Sequence, residues 1–172
     1  MSTYTIDTKL FGEMEVTQSY GIVEDFDITL GGKDMNIHFH IFEDVADDST
    51  IETVEDIIDN IPLMYEKGKS AIIDGMESNA VIKDFIDEYF YDDELDVYLD
   101  FFGVDSADKI TALMLAEKLE PRAIVIADVL VKGKDSMIDC SFDFALPEEY
   151  TDQLLVIRFN DKHEIYQITH ES

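Results

Sequence analysis

Hydrophobic and polar residues alternate one by one through much of the first third of the chain, which is typical of strands with one buried face. A short candidate strand covers residues 10–16, and the alternation holds throughout 22–30 and 35–41. The two glycines at Gly31-Gly32 tolerate the positive φ of a tight turn. The pattern therefore predicts an antiparallel hairpin with one dry face and one wet face.

At Ser49 the period of the apolar residues changes from two to about 3.6, which predicts amphipathic helices. Ser49 and Glu52 have the S-x-x-E spacing of a capping box, and Pro62 interrupts the first helix. We expect the last helix to begin at Ser106 and to stop before Pro121. The predicted helices cover residues 51–61, 63–74, 81–91, 95–102 and 106–117.

The last third of the chain returns to strand patterns separated by short turns, which predicts an antiparallel meander of four strands. These strands cover residues 123–131, 137–146, 154–159 and 164–169. The fold class is therefore α+β: a mostly antiparallel sheet, built from an N-terminal hairpin or meander and the C-terminal four-strand meander, with a central block of helices packed on one face. No Pro-, Gly- or Ser-rich linker and no internal repeat interrupts the chain. We expect a single domain over 1–172, with a subdivision near residue 103 as the alternative.

The charge of the chain restricts the classes of partner. Forty Asp and Glu stand against 12 Lys and Arg, for a formal net charge of −28, while 46% hydrophobic residues suffice for a core. A surface this acidic repels nucleic acid phosphates and anionic membranes, so we exclude both as direct partners. A charged partner should be basic, and a basic protein is the partner that we expect.

From the opening residues, the apolar runs and the cysteine content we expect a cytoplasmic protein. The opening MSTYTIDTKL has neither the basic nor the apolar region of a secretory signal. No apolar run reaches the roughly 18 residues that a membrane helix needs. The single Cys140 permits no disulfide within the chain, which fits a reducing compartment.

Motifs of known catalytic centres are missing. The sequence contains no P-loop, no G-x-G-x-x-G, no H-E-x-x-H and no G-x-S-x-G. Cys140 shares a strand face with Ile138 and Phe142, so it should be an inert core thiol. We therefore expect no cofactor, and the sequence favours a non-enzymatic protein over an enzyme.

The stretch 84–105 combines nine acidic residues with seven aromatic residues and has no Lys or Arg. Its helical spacing fits aromatic core stripes with solvated acidic faces. It also fits a recognition surface, because acids steer a basic partner and a few exposed aromatics then anchor it. The two interpretations are compatible. The predicted partner-binding residues are Asp84, Asp87, Glu88, Tyr91, Asp92, Asp93, Glu94 and Asp96.

A different class of function would use the histidines of the hairpin. His38 and His40 project to the same face of their strand, and Asp25 and Asp27 lie on the wet face of the strand before it. Two imidazoles and one or two carboxylates suit zinc or another divalent ion, so the alternative is a metal-binding protein or a metal-dependent hydrolase. A His and an Asp facing each other across two strands also gain from direct pairing without a metal.

A third hypothesis explains the acidity in another way. A protein that mimics the charge of DNA would inhibit DNA-binding proteins with carboxylates spaced like phosphates. The sequence does not reveal that spacing.

Four segments together resemble a known bacterial family. They are LFGEMEV at 10–16, DFDITLGGKDMNIHFHIF at 25–42, DEYFYDD at 87–93 and PEEYTDQLLVIRFNDKHEIYQI at 147–168. They are similar to uncharacterised α+β proteins grouped as the domain of unknown function numbered two thousand and four, whose members resemble the immunity proteins found beside bacterial toxins. The resemblance implies an immunity protein that neutralises a basic toxin, and it implies no catalytic residues.

Overall fold

The alternating and helical patterns form a six-stranded sheet, a separate two-stranded sheet and a group of helices in a computed structural model. The structure describes residues 2–18, 22–41, 48–91, 94–129, 137–147 and 152–172. The strands in these ranges are β1 (Ser2–Thr8), β2 (Gly12–Gln18), β3 (Ile22–Leu30), β4 (Lys33–Ile41), β5 (Glu120–Val129), β6 (Met137–Ala145), β7 (Leu154–Phe159) and β8 (Ile165–Glu171). The α-helices are α1 (Asp48–Asp59), α2 (Ile61–Gly75), α3 (Ala80–Tyr91), α4 (Leu99–Phe102) and α5 (Ala112–Lys118). Two short 3₁₀-helices cover Glu94–Tyr98 and Ala107–Lys109.

The main sheet has six strands in the order β3-β4-β5-β6-β7-β8. Every neighbouring pair in it is antiparallel except β4 and β5, which run parallel with Asn36 opposite Ala123 and His40 opposite Ala127. The α+β class and the mostly antiparallel sheet are confirmed. The parallel ladder of β4 and β5, at the centre of the sheet, joins the N-terminal hairpin to the C-terminal meander. Helices α1 to α5 lie between β4 and β5 along the chain.

The predicted hairpin forms with a two-residue turn. Phe26 faces Ile37 and Leu30 faces Lys33, while Gly31 and Gly32 have φ of 56° and 79°. Two successive positive φ values match the twist of the flanking strands, and this is the reason that glycine suits both positions.

The helices cover one face of the main sheet. Residues of alternate parity along the central strands are completely buried, among them Phe39, Ile126 and Phe142. They join the inward residues of the helices, such as Ile57 and Phe85, in one hydrophobic cluster. The other face carries the polar residues of the same strands.

One predicted strand is misplaced. Residues 10–16 do not form a single strand, because Leu10 and Phe11 lie in a turn and Gly12, with φ of 71°, begins β2. The strand before it, β1, pairs with β2 in a separate two-stranded sheet. Phe11 contributes to packing from the turn, where its ring lies 6.1 Å from that of Phe26.

The helix predicted over 106–117 is also wrong in its first half. Residues 107–109 form a 3₁₀-helix, the chain is extended at Ile110, and α5 begins only after Thr111. The Thr111 side chain accepts a hydrogen bond from the Met114 amide at 3.2 Å and so supplies the helix cap. Pro121 does not end a helix but lies in β5.

Ser49 does not stand at the N-cap of the first helix, where the capping box predicts it. Helix α1 begins at Asp48, so Ser49 already lies within it. Pro62 does separate two helices as predicted, and it occupies the first turn of α2. One of the short turns predicted between the C-terminal strands, at 132–135, lies outside the described residues. None of the described helices is both long enough and apolar enough to cross a bilayer.

Candidate functional site

The third helix presents the acidic residues that the sequence singles out. Its inward residues Ile82, Phe85, Ile86 and Tyr89 are buried at helical spacing. Asn79 begins the helix: its side-chain oxygen accepts hydrogen bonds from the amides of Val81 at 3.0 Å and Ile82 at 3.2 Å. The buried stripe and the cap together fix which side chains of α3 face outward.

Four outward residues of α3 line one surface hollow of about 410 Å³. We call them the α3 acidic surface: Asp84, Asp87, Glu88 and Tyr91. Their positions i, i+3, i+4 and i+7 place them on one helical face. Tyr91 is 81% exposed, so its ring stands in solvent beside three carboxylates.

One lysine lies beside this surface. Lys83 forms an i, i+4 ion pair with Asp87, and this hydrogen bond raises the pKa of the Lys83 ammonium. Glu88 Oε2 lies 3.5 Å from His170 Nε2 of β8, across the gap between helix and sheet. Asp84 completes the set of carboxylates around the hollow. The α3 acidic surface thus contains four of the eight predicted partner-binding residues.

The remaining predicted positions follow α3 along the chain. Asp92 and Asp93 lie outside the described residues. Glu94 begins the 3₁₀-helix Glu94–Tyr98, in which Asp96 is exposed but does not line the hollow. That 3₁₀-helix packs against α3 through Tyr98, whose ring lies 6.4 Å from that of Tyr89.

Exposed apolar side chains occur on the same two elements. Phe90 of α3 is 41% exposed, and Val97 in the 3₁₀-helix Glu94–Tyr98 is 53% exposed. Aromatic and aliphatic groups beside carboxylates can bind the stem of a Lys or Arg while the acids bind its charge. A surface of this composition has the chemistry to bind a cationic side chain.

The four residues of the hypothetical metal site occupy the solvent-facing side of the hairpin. His38 Nδ1 lies 2.6 Å from Asp25 Oδ1, directly across the ladder. Asp27 instead accepts a hydrogen bond from Asn36 Nδ2 at 3.2 Å, and the ring of His40 is centred 6.3 Å from that of His38. Within the described ranges no three His, Cys, Asp or Glu side chains gather closely enough to hold a metal ion. The geometry supplies the cross-strand pairing of His38 with Asp25 that needs no metal.

A buried polar cluster lies on the face of β6 opposite to that of Cys140 and Phe142. Asp139 is completely buried, and its Oδ2 accepts hydrogen bonds from Tyr166 Oη at 2.6 Å and Arg158 Nη1 at 3.3 Å. Its Oδ1 is buried and has no hydrogen-bond partner among the residues that the structure describes. Burial raises the pKa of the Asp139 carboxyl despite both partners, because removal of solvent outweighs the pairing with Arg158.

The same face holds Asp143, whose pKa is also raised, first by burial and then by the charge of Glu171. Sequence reasoning missed these acids as a cluster. The sequence does show Asp139, Ser141 and Asp143 alternating with the apolar residues of β6. This alternation indicates that one face of the strand is polar, but it does not indicate that the polar face is buried.

A groove of about 470 Å³ separates α2 from the turn between β7 and β8. In that turn His163 has a positive φ of 58°, and its Nε2 lies 3.0 Å from Asp56 Oδ2 of α1. Lys67 Nζ donates a hydrogen bond to the His163 carbonyl at 2.8 Å. Two helices thus hold one turn, and these polar groups serve the packing of the turn.

Cys140 lies in the core as predicted. It is completely buried between the sheet and the helices, and burial raises the pKa of its thiol well above the usual value. A thiol in this state is a poor nucleophile.

Comparison with models of protein families, with curated proteins and with solved structures finds no match to this chain. Functional conclusions therefore depend on the geometry and the charges described above.

Proposed function

We propose that this protein is a non-enzymatic interaction protein that binds a basic protein partner through the α3 acidic surface. The observation that carries the proposal is the convergence of Asp84, Asp87, Glu88 and the exposed Tyr91 around one hollow. Long-range attraction by a net charge of −28 would raise the association rate, and the aromatic group would supply short-range contact.

A cationic toxin is a partner of suitable chemistry, as the family resemblance implies for an immunity protein. An enzyme that acts on nucleic acid needs a basic surface for phosphates. An acidic protein that covers such a surface blocks the substrate without any chemistry of its own. This role requires neither a cofactor nor a nucleophile.

The test compares two triple variants with the same net charge. One carries Asp84→Lys, Asp87→Lys and Glu88→Lys on the α3 acidic surface. The control carries Glu13→Lys, Glu15→Lys and Asp108→Lys, three exposed acids on other elements. Each variant changes the net charge by the same +6, so a difference between them reports position and not total charge.

Immobilised wild-type protein should retain basic proteins from a bacterial lysate at about 50 mM salt and release them at several hundred millimolar, where screening is strong. With a purified partner, the α3 variant should slow association by about tenfold and the control variant by much less. Equal loss in both variants would show that binding depends on total charge alone. Retention that is indifferent to salt would contradict the electrostatic proposal.

A further inference from the structure

The last strand of the chain forms one edge of the main sheet. Among the described strands, β8 pairs with β7 on one side and with none on the other. Alternate N–H and C=O groups along an edge strand point away from the sheet and can pair with another chain. Residues 167–171 keep a regular register with 154–158, so the outer edge of this part of β8 is straight enough to serve as a template.

The composition of β8 does not protect this edge. Edge strands are commonly guarded by charges or proline. The segment IYQITHE has no Lys, Arg or Pro, and its one acidic residue, Glu171, stands at the end. By contrast the opposite edge strand β3, IVEDFDITL, has three acids within it. The pairing of β7 with β8 shifts register between Arg158 and Phe159, and this irregularity affects only the beginning of β8.

The α3 acidic surface lies beside this unprotected edge. The ring of Phe85 in α3 meets the ring of His170 in β8 edge to face, with centroids 5.2 Å apart. His170 Nε2 is 3.5 Å from Glu88 Oε2, one of the carboxylates around the hollow. A strand added to β8 would therefore direct alternate side chains toward the acids of α3.

We propose that the partner binds by adding an extended basic segment to β8, with Lys or Arg side chains of that segment in the α3 hollow. This inference depends on the proposed function, and it adds the mode of binding. Main-chain hydrogen bonds of the added strand supply affinity, and the hollow supplies specificity for positive charge at alternate positions. The complementary charges favour a basic segment over a second copy of this acidic chain.

The test uses two peptides of equal charge. One is an eight-residue peptide of alternating Lys and Val, and the other is the same peptide with every backbone nitrogen methylated. The methylated peptide keeps the four positive charges but has no backbone N–H on either edge, so it cannot donate hydrogen bonds to a ladder. Binding to the wild-type protein is followed by NMR titration at about 20 mM salt, together with amide hydrogen exchange of β8 and β3.

We expect the Lys-Val peptide to bind at least tenfold more tightly than its methylated counterpart and to slow exchange of outward amides within 167–171 at least tenfold. Exchange in β3 should not change. The α3 triple variant should lose this binding, with its fold checked by circular dichroism.

The outcomes separate the two proposals. Equal binding of both peptides, with changes confined to α3, would overturn strand addition and leave the acidic surface intact. Protection of β8 that persists in the α3 variant would overturn the role of the hollow. Absence of binding by either peptide at low salt would overturn the proposed function and the strand addition together.

Discussion

At the scale of single residues, the hairpin turn depends on a contact with a helix. Gly31 lies against Tyr65 of α2, and a Cβ at Gly31 would stand 2.7 Å from the Tyr65 hydroxyl. That hydroxyl donates a hydrogen bond to Glu120 Oε2 at 2.8 Å. Lys69 Nζ lies 3.2 Å from the other carboxylate oxygen. The absence of a side chain at Gly31 therefore protects a polar contact between α2 and β5.

Gly31→Ala should destabilise the protein more than Gly32→Ala. Both glycines have positive φ, which costs an alanine about 1–2 kcal/mol, but a Cβ at Gly32 meets nothing within 4 Å. We expect Gly31→Ala to cost about 1 kcal/mol more, because the Tyr65 hydrogen bond is displaced. Urea unfolding measures both values. In a Tyr65→Phe background the difference should shrink, and an unchanged difference would contradict the proposed contact.

The buried carboxyl of Asp139 makes stability depend on pH. Its folded pKa is raised by burial, so the folded state holds the proton at pH values where the unfolded chain, with a pKa of about 3.9, has released it. The contribution of Asp139 is therefore most favourable at low pH and is lost as pH rises from about 4 through the raised folded pKa.

Asp139→Asn should remove this part of the pH dependence. We expect the stability of the wild type relative to the variant to fall as pH rises from 4 to 7, measured as the difference in free energy of unfolding at each pH. Taking the difference cancels the titration of the other acids. A constant difference over this range would show that the carboxyl titrates in the folded protein as it does in the unfolded chain.

At the scale of elements, α3 is both a core element and the carrier of the α3 acidic surface. Its buried stripe contacts the sheet, and its N-terminus depends on the side chain of Asn79. Loss of that cap would weaken the helix on which all four surface residues stand.

Asn79→Ala should lower the free energy of unfolding by about 1 kcal/mol, the usual value of an N-cap. Asn79→Ser, which keeps an acceptor oxygen, should recover most of the loss. Chemical denaturation gives both values, and hydrogen exchange should show faster opening in the first turn of α3. Similar stability of the two variants would contradict the capping role.

The pattern of apolar residues predicted the positions of strands and helices better than it predicted which strands pair. Burial of one face imposes the period of two that identified 22–30 and the helical period that placed Asp84, Asp87 and Glu88 together. The parallel pairing of β4 with β5 could not be predicted, because the positions that pair are separated by all five helices and nothing in the local pattern of a strand identifies its neighbour. The burial of Asp139 was equally hidden, since Asp is rarely buried and its partners come from two other strands.

At the scale of the whole molecule, the net charge of −28 opposes the compact state through repulsion among the acids. Ion pairs such as Asp59 with Lys9 and Asp105 with Lys109 can offset only part of this repulsion, because 12 Lys and Arg cannot pair with 40 Asp and Glu. Most of the repulsion is therefore open to screening by salt.

The melting temperature should rise with sodium chloride between 20 mM and 500 mM. We expect a few degrees, which corresponds to roughly 1–2 kcal/mol for a chain of this size. The α3 triple variant has a net charge of −28 + 6 = −22, so its increase should be smaller. A melting temperature that does not respond to salt in either protein would show that repulsion is already neutralised by local pairing.

The parallel ladder between β4 and β5 also sets the order of events during synthesis. Strand β4 ends at Ile41, and its partner positions in β5 end at Ala127, so the ribosome must add roughly 86 more residues before that ladder can close. At about 5–20 residues per second this takes several seconds. Throughout that interval the nascent hairpin presents an open edge with Ile37 and Phe39 beside it. We therefore expect the helices, which leave the ribosome first, to cover these residues until β5 arrives.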